Sequence, residues 1–307
     1  MKYAIISDIH GNLPAFLAVL NDAEAQQVDK YLLLGDYTSG FPWGNDVVKA
    51  IRGLKSFVAV SGNGEGYLAD IYKKGQTDFS DNQFKPVYWA YQSLSIDNLQ
   101  YLISLPETII ADDNIHLAHT INMVHHKQVA EFFHPHGFHM MMKANPITHD
   151  EYLILARESL LSCSESMADI LALPKGVYLF GHNHLQFHME YDGRLFINPG
   201  SCGDAIDWDT NAPYTLLSCQ DGCLTVTERR IEYDINAVAN GLEISGFSDY
   251  SPMWSEIIRL GLFTAKNYFY LFVIHLIETG KSMGCNKYPV SNDVWNIAVK
   301  TWDASKV

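Results

Sequence analysis

The sequence predicts an α/β fold that begins with a parallel sheet, continues in mixed β-structure and ends in helices. Apolar runs of strand length alternate with helical segments up to about residue 65, and Asp-Gly turns separate short strands in the middle of the chain. Helical periodicity dominates after about residue 234. We therefore predict a core of residues 1–233 and a helical extension of residues 234–307 that packs on it.

The first part of the core has the pattern strand, helix, strand, helix, strand. Leu13, Leu17 and Leu20 recur at helical spacing, and Pro14 lies in a first helical turn, where proline is tolerated. Such alternation favours parallel strands that are buried on both faces. The predicted elements are strands at 2–7, 31–34 and 57–60 and helices at 13–25 and 46–53.

The rest of the chain combines short strands with helices, so the second half of the core is predicted to be antiparallel or mixed. Ser95 is a good N-cap for a helical segment within 66–105. Asp-Gly turns at 192–193 and 221–222 predict hairpins. Further predicted elements are strands at 108–110, 115–118 and 177–180 and helices at 151–173, 235–242, 253–278 and 293–302, with Gly261, Gly280 and Gly284 as candidate helix breaks.

The composition is acidic, with a formal net charge of −14 and no run of basic residues. An extended nucleic-acid footprint needs clustered Lys and Arg, so this class of partner is disfavoured. An anionic substrate would instead be attracted by bound divalent metals, which can be the largest local charges in a site.

The cysteines and the apolar segments indicate the cellular compartment of the protein. The cysteines are odd in number and irregularly spaced, which is typical of reduced cytosolic thiols: Cys163, Cys202, Cys219, Cys223 and Cys285. An alternative is that Cys219 and Cys223 face each other across a hairpin. The N-terminal segment predicts a strand rather than a signal peptide, and the apolar stretch 268–277 is too short to cross a membrane. We expect a soluble, cytoplasmic protein with no membrane partner.

Polar residues that can bind metals follow the predicted strands. Asp8, Asp36 and Asn63 come directly after the first three strands. Ligands of parallel sheets bind at the carboxyl ends of the strands. Each residue alone could be a turn residue or a helix cap, but three at equivalent places weaken that explanation.

Two pairs of residues and one further histidine extend this set. Asp8 and His10 are two residues apart, as are His182 and His184, and in extended backbone such residues point the same way. His119 follows another predicted strand. The resulting mixture of oxygen and nitrogen ligands is sufficient for two divalent cations and suits Mn, Fe, Zn, Co or Ni.

The ordered sequence blocks resemble the calcineurin-like metallophosphoesterase superfamily over about residues 1–230. The compact form of the first block is similar to the small bacterial and archaeal phosphodiesterase-like branch. This resemblance implies a four-layer α-β-β-α sandwich of two packed mixed sheets. The blocks are SDIHGN, LGDY, SGNGE, LAHT, FGHNH and INPGS.

The resemblance also implies a role for each ligand. One metal would be held by Asp8, His10 and His184, the other by Asn63, His119 and His182, with Asp36 as the bridge. Two cations about 4 Å apart can share a hydroxide, which attacks phosphorus while the metals neutralise the phosphoryl oxygens. A small phosphodiester or phosphomonoester would then be the substrate.

A second function from a different class is a non-catalytic scaffold of the same fold, which a subunit of the retromer trafficking coat resembles. All seven ligand positions are filled here, which favours an enzyme. A nuclease of the same superfamily is disfavoured by the acidic balance, while a mononucleotide or dinucleotide stays open as a substrate.

The proton donor for the leaving group is the main departure from the resemblance. Many family members have a histidine after the metal-binding asparagine, whereas Asn63 is followed by Gly64 and Glu65. The candidate acids are therefore Glu65, His125 and His126. Glu65 is equally explained as a helix-start carboxylate that stays ionised, and the two histidines as ordinary loop residues. Without a strong acid, diesters and activated aryl esters are favoured as substrates.

Two further features complete the expectations. Asn12 is a candidate phosphate contact, as the resemblance implies. The C-terminal extension has three alternative roles: covering the core, forming the face of a homodimer, or regulating access to the site.

Overall fold

The computed structural model describes residues 1–75, 82–112, 114–120, 148–162, 164–220, 222–287 and 289–306. The strands of these segments are β1 Lys2–Ile6, β2 Lys30–Leu33, β3 Phe57–Ala59, β4 Thr108–Ala111, β5 Ile115–Ala118, β6 Gly176–Leu179, β7 Gln186–Tyr191, β8 Arg194–Pro199, β9 Ala212–Gln220 and β10 Cys223–Ile231.

The helices of the core are α1 Leu13–Ala25, α2 Gly44–Arg52, α3 Asn63–Lys74, α4 Lys85–Ser93, α5 Ile96–Ile103, α6 His149–Ser162 and α7 Ser164–Ala172. Those that follow are α8 Ile235–Ile244, α9 Phe247–Tyr250, α10 Pro252–Thr264, α11 Tyr268–Ser282 and α12 Asn292–Thr301, with a final 3₁₀ turn at Ala304–Lys306.

Two five-stranded mixed sheets form the centre of the molecule, in the orders β10-β9-β1-β2-β3 and β4-β5-β6-β8-β7. β1, β2 and β3 run parallel, as the alternating pattern predicts. The first sheet also takes up the hairpin β9–β10, because β9 pairs antiparallel with β1 through Lys2 opposite Ser218. Sequence periodicity gave no sign of this long-range pairing.

Apolar side chains pack on both faces of both sheets. Ile5 of the first sheet and Leu179 of the second belong to the buried cluster between them. Phe16 of α1 lies in a second cluster that joins α1, α2 and α5 to the outer face of the first sheet. Ile170 of α7 packs with Phe196 on the outer face of the second sheet. The four-layer α-β-β-α sandwich is therefore confirmed.

The C-terminal helices form an apolar cluster of their own and contact the core. Trp254 and Trp295 pack in this cluster with ring centroids 5.5 Å apart. The Trp254 indole donates to the Asn82 carbonyl at 2.8 Å, and the Gln83 amide donates to the Val290 carbonyl at 2.8 Å. These bonds join the helices to the segment before α4. The division into a core and an extension stays a prediction.

The prediction of one helix over 253–278 is wrong, since the chain turns between α10 and α11. Ala265 has a left-handed backbone (φ 49°) that ends α10. The Asn267 side chain then caps α11 by accepting the Tyr270 N–H at 2.8 Å. Gly261 lies within α10, so this candidate break is wrong. No helix among the described residues is long and apolar enough to span a bilayer.

The hairpin β9–β10 separates Cys219 and Cys223, so the alternative that they face each other across it is wrong. Cys219 lies opposite Leu224, and Cys223 lies opposite Gln220. Adjacent residues of a strand point to opposite faces, so the two thiols lie on different faces of the hairpin. Both are free, as are Cys202 and Cys285.

Candidate metal centre

The loops after the strands bring the predicted ligands to one place, at the carboxyl ends of β1, β2, β3, β5 and β6. The Asn63 amide oxygen lies 3.0 Å from His119 Nε2 and 2.9 Å from His182 Nδ1. On the other side, His10 Nε2 lies 3.1 Å from His184 Nε2. The structure thus gathers all the predicted ligands except Asp8 and Asp36 into two close groups, and these two carboxylates lie between the groups.

Asp8 is the centre of the cluster. Its fully buried Oδ1 lies 3.4 Å from Nε2 of His184, 3.8 Å from Nε2 of His10 and 3.9 Å from Nε2 of His119. This oxygen has no hydrogen-bond partner among the described residues. A buried carboxylate oxygen without a partner is costly, so it indicates a place for a cation.

The histidine tautomers lead to the same conclusion. Nδ1 of His10 donates to the Ser39 carbonyl at 3.1 Å, and Nδ1 of His184 donates to the Asp204 carbonyl at 2.8 Å. In the neutral rings, both Nε2 atoms therefore carry lone pairs, and these face each other. Two converging lone pairs need either a proton or a metal ion between them.

His119 repeats this arrangement on the second side. Its Nδ1 donates to the Leu34 carbonyl at 2.8 Å, so its Nε2 directs a lone pair at the Asn63 amide oxygen. Backbone carbonyls that orient metal-binding histidines are a recurrent feature of metal sites. The residues present therefore fit a metal ion on each side of Asp8.

Two sets of side chains have ligand atoms close enough to share an ion. These are Asp8 with His10 and His184, and Asp8 with Asp36 and His119, with all atoms of each set within 4.8 Å of one another. The first set is the one that the resemblance implies. Asp8 belongs to both sets, while Oδ2 of Asp36 lies 3.5 Å from His119 Nε2 and 4.0 Å from His10 Nε2. Both carboxylates therefore reach both sides.

The paired ligands do not lie in extended backbone, so that part of the prediction is wrong. Left-handed φ angles occur at five of the candidate ligand positions: Asp8 (52°), His10 (51°), Asp36 (53°), His182 (69°) and His184 (60°). Asp and His tolerate this region better than most residues, but it still costs roughly 1–3 kcal/mol per residue. Clustered strain of this kind is typical of functional sites, where the surrounding structure holds the loops in place.

Glycines allow the ligand loops to approach each other. A Cβ on Gly62 would overlap the Asp36 carboxylate, and a Cβ on Gly181 would overlap the Ser7 hydroxyl and the Asp8 carboxylate. Larger residues at these positions would displace the ligands.

In the metal-free protein, the Asp8 carboxylate and the neighbouring histidines strongly shift each other's pKa values. Burial alone would raise the pKa of Asp8, but His184, His119 and His10 together lower it below its usual range. Burial alone would lower the pKa of His184, but Asp8 and Asp204 raise it to about 9. Burial and the neighbouring His119 lower the pKa of His182 to about 4. His182 is therefore neutral at pH 7, which is the form in which an imidazole can bind a metal.

Glu65 holds the ligand loops together. Its buried carboxylate accepts N–H bonds from Gly62 (2.8 Å), Asp36 (2.9 Å) and Tyr37 (3.1 Å). Burial and the Asp36 carboxylate raise the pKa of Glu65 to about 7. The side chain is only 1% exposed, so its role as the acid has no geometric support.

Asn12 also differs from the expectation. Its side chain is fully buried, accepts the Ala15 N–H at 3.3 Å as the cap of α1 and donates to the Gly203 carbonyl at 2.9 Å. A direct phosphate contact by this amide is therefore unsupported, because no atom of it is accessible. His125 and His126 lie outside the described residues.

Comparison with known proteins places these observations in a family. Residues 1–222 match the calcineurin-like phosphoesterase superfamily domain. The crystal structure of a metallophosphoesterase from Sphaerobacter thermophilus is similar, with a TM-score of 0.61 and 25% identity over 86% of this chain and 100% of that chain. A hypothetical protein of Pyrococcus horikoshii has the same fold, with a TM-score of 0.61 and 17% identity over 84% of this chain and 97% of that chain.

A relative in Methanocaldococcus jannaschii, described as an uncharacterized protein, is 28% identical over 236 residues, which are 76% of this chain and 88% of the relative. The two sheets and the cluster of ligands at the strand ends define an α/β metal-binding protein. The chain belongs to the calcineurin-like phosphoesterase superfamily, since the match covers most of its length. At the level of the family, it is a metal-dependent phosphoesterase.

Proposed function

We propose that this chain hydrolyses small phosphoesters with two divalent cations. The observation that carries the proposal is the buried, unpartnered Oδ1 of Asp8, which three histidine nitrogens surround at 3.4 to 3.9 Å. When bound, the cations supply positive charge for the phosphoryl oxygens and lower the pKa of water.

The chain's own residues prepare this chemistry. Carbonyls of Ser39, Leu34 and Asp204 fix the tautomers of three histidines, so that Nε2 is the ligand atom in each. Carboxylates from Asp8 and Asp36 lie between the two sides and balance the cation charge. Mn, Fe, Zn and Ni all suit this donor set.

The alternative, a scaffold without catalysis, has less support. A scaffold has no need to keep five ligand positions in a strained left-handed backbone. Strain of this kind is explained if the positions of the ligand atoms matter for chemistry.

The class of ester that the site hydrolyses best depends on whether a residue can donate a proton to the leaving group. The buried Glu65 carboxylate is 1% exposed and accepts hydrogen bonds from three backbone N–H groups, so it is not placed to give a proton to a leaving group. A leaving group that needs little protonation suits such a site, so we propose diesters and activated aryl esters as the better substrates.

Metal analysis with a panel of phosphoesters tests the proposal. With Mn²⁺ added, the rate on bis-p-nitrophenyl phosphate should exceed that on a simple sugar phosphate. Asp8→Asn should abolish both metal binding and hydrolysis, whereas the exposed control Asp249→Asn should change neither. A chain that purifies with less than one metal per molecule and stays inert with Mn²⁺ or Ni²⁺ contradicts the proposal.

A further inference from the structure

The metal centre opens into a cavity of about 680 Å³ whose far wall belongs to the C-terminal helices. His10, Asp36 and His184 line its near end, and residues of α10 and α11 line its far end. The volume is in the range of pockets that enclose a small molecule. The cavity is therefore much larger than a phosphoryl group needs.

The far wall is apolar. Its side chains include the buried Ile257 and Val273 and the half-buried Ile258, Ile274 and Ile277. Outside the metal centre, the charged side chains among the described lining residues are Asp204 and Lys266, whose charges cancel. A mainly apolar surface with no net charge favours carbon-rich groups over charged ones.

Three polar side chains of the cavity lining already have partners within the protein. Trp254 donates its indole N–H to the Asn82 carbonyl, and Asn267 caps α11. Gln83 exchanges two hydrogen bonds with the backbone of Val290. A sugar placed here would bury hydroxyls against apolar atoms, which is costly.

The wall is fixed relative to the metal ligands. The backbone N–H of Trp208 donates to the carbonyl of Ala265, in the turn between α10 and α11, at 3.0 Å. The same core loop contains Asp204, whose carbonyl orients His184. The apolar wall and the ligand His184 are thus held by one short loop.

We propose that this cavity binds the organic group of the phosphoester and that this group is apolar, with aromatic groups preferred. The inference rests on the proposed function, because the phosphoryl group must lie at the metal centre. It goes further by assigning the C-terminal helices to substrate selection. The half-buried Ile258, Ile274 and Ile277 form the contact surface.

Binding of two phosphonates tests the inference without relying on turnover. Phenylphosphonate and methylphosphonate carry the same anionic group and differ in their apolar area. Calorimetry with the Mn²⁺-loaded protein should show phenylphosphonate binding about tenfold more tightly or better, because a ring buries far more apolar surface than a methyl group. Equal affinities overturn the inference.

Variants locate the contact. Ile274→Asn and the milder Ile277→Ala should reduce the preference for phenylphosphonate several-fold and leave the affinity for methylphosphonate unchanged. Leu271 lies half-buried on the same helix, outside the described lining of the cavity. The matched control Leu271→Asn should therefore keep the full preference for phenylphosphonate. A preference that survives in both cavity variants contradicts the proposed contact.

Hydrolysis separates this inference from the proposed function. Methyl and phenyl p-nitrophenyl phosphate share a leaving group, so a tenfold preference for the phenyl ester in kcat/KM is expected. Hydrolysis of both at equal kcat/KM, with equal phosphonate affinities, refutes only the inference. Tighter binding of phenylphosphonate without hydrolysis of either ester refutes only the proposed function.

Discussion

The carboxylate of Glu65 accepts a hydrogen bond from the backbone N–H of Asp36, with Oε2 2.9 Å from the nitrogen. The same oxygen accepts the Gly62 N–H at 2.8 Å, and Oε1 accepts the Tyr37 N–H at 3.1 Å. One buried side chain therefore joins the loop after β2, which carries Asp36, to the start of α3, which carries Asn63. This explains an acidic residue at position 65 without a role in proton transfer.

Glu65→Gln should destabilise the protein by about 2 kcal/mol, because an amide nitrogen would then face a buried backbone donor. The loss is measured by urea unfolding. The exposed control Glu232→Gln should stay within about 0.5 kcal/mol of the wild type.

A catalytic acid at Glu65 would behave differently. The Glu65→Gln variant would then lose far more rate on an alkyl ester than on an activated aryl ester, whatever its loss of stability. Equal fractional losses on both esters support the structural role.

Gly62→Ala should weaken Mn²⁺ binding roughly 10- to 100-fold, the range seen when the partners of a metal ligand are disturbed. The added Cβ would overlap the Asp36 carboxylate. A competing chelator dye measures the affinity. Gly66→Ala, in the same helix but with open space around the new Cβ, is the matched control and should leave the affinity unchanged. Similar affinities for both variants would mean that the Asp36 position does not matter.

The raised pKa of His184, about 9, gives metal binding a definite pH dependence. An ordinary histidine titrates near 6.5. In the metal-free protein, the ion pair between protonated His184 and Asp8 therefore stabilises the fold fully below about pH 6.5. This stabilisation is lost as the pH rises through about 9. With EDTA present, the contribution of this pair to the free energy of unfolding should fall over that window.

A cation must displace the proton of His184, so Mn²⁺ affinity should rise across the same window. At pH 7.5, about one proton should leave per cation bound at this position. Titration calorimetry in PIPES and in Tris measures the release, since the two buffers differ in ionisation enthalpy. The same binding enthalpy in both buffers would show that His184 is neutral before the metal binds.

The clustering of the candidate ligands was predictable because it depends on a simple topological fact. The ends of neighbouring parallel strands meet at one edge, so Asp8, Asp36 and Asn63 had to lie close together. The carbonyls of Ser39 and Asp204 were not predictable, since every residue carries a carbonyl and the side chains give no signal. The left-handed backbone of the ligands was missed because two-residue spacing suits an extended strand as well as a pair of tight turns.

The apolar cavity wall was beyond sequence analysis for a different reason. Ile274 and Ile277 have the spacing of any amphipathic helix, and that pattern shows which face is buried without showing against what. The pairing of β9 with β1 was missed in the same way, because local periodicity does not identify partners that are distant in sequence. The break between α10 and α11 depends on Ala265, a residue with no turn preference.

Gly241→Ala tests how firmly the C-terminal helices pack on the core. A Cβ at this position would overlap the Trp43 ring, so overpacking should cost about 1–3 kcal/mol. Alanine is also more stable than glycine in the interior of a helix. Gly66→Ala reports this gain in folding stability alone, about 0.5–1 kcal/mol. The difference between the two variants in thermal unfolding isolates the clash. If Gly241→Ala stabilises the protein as much as Gly66→Ala does, α8 is not held against Trp43. The contact between α8 and Trp43 then does not fix the cavity wall formed by α10 and α11.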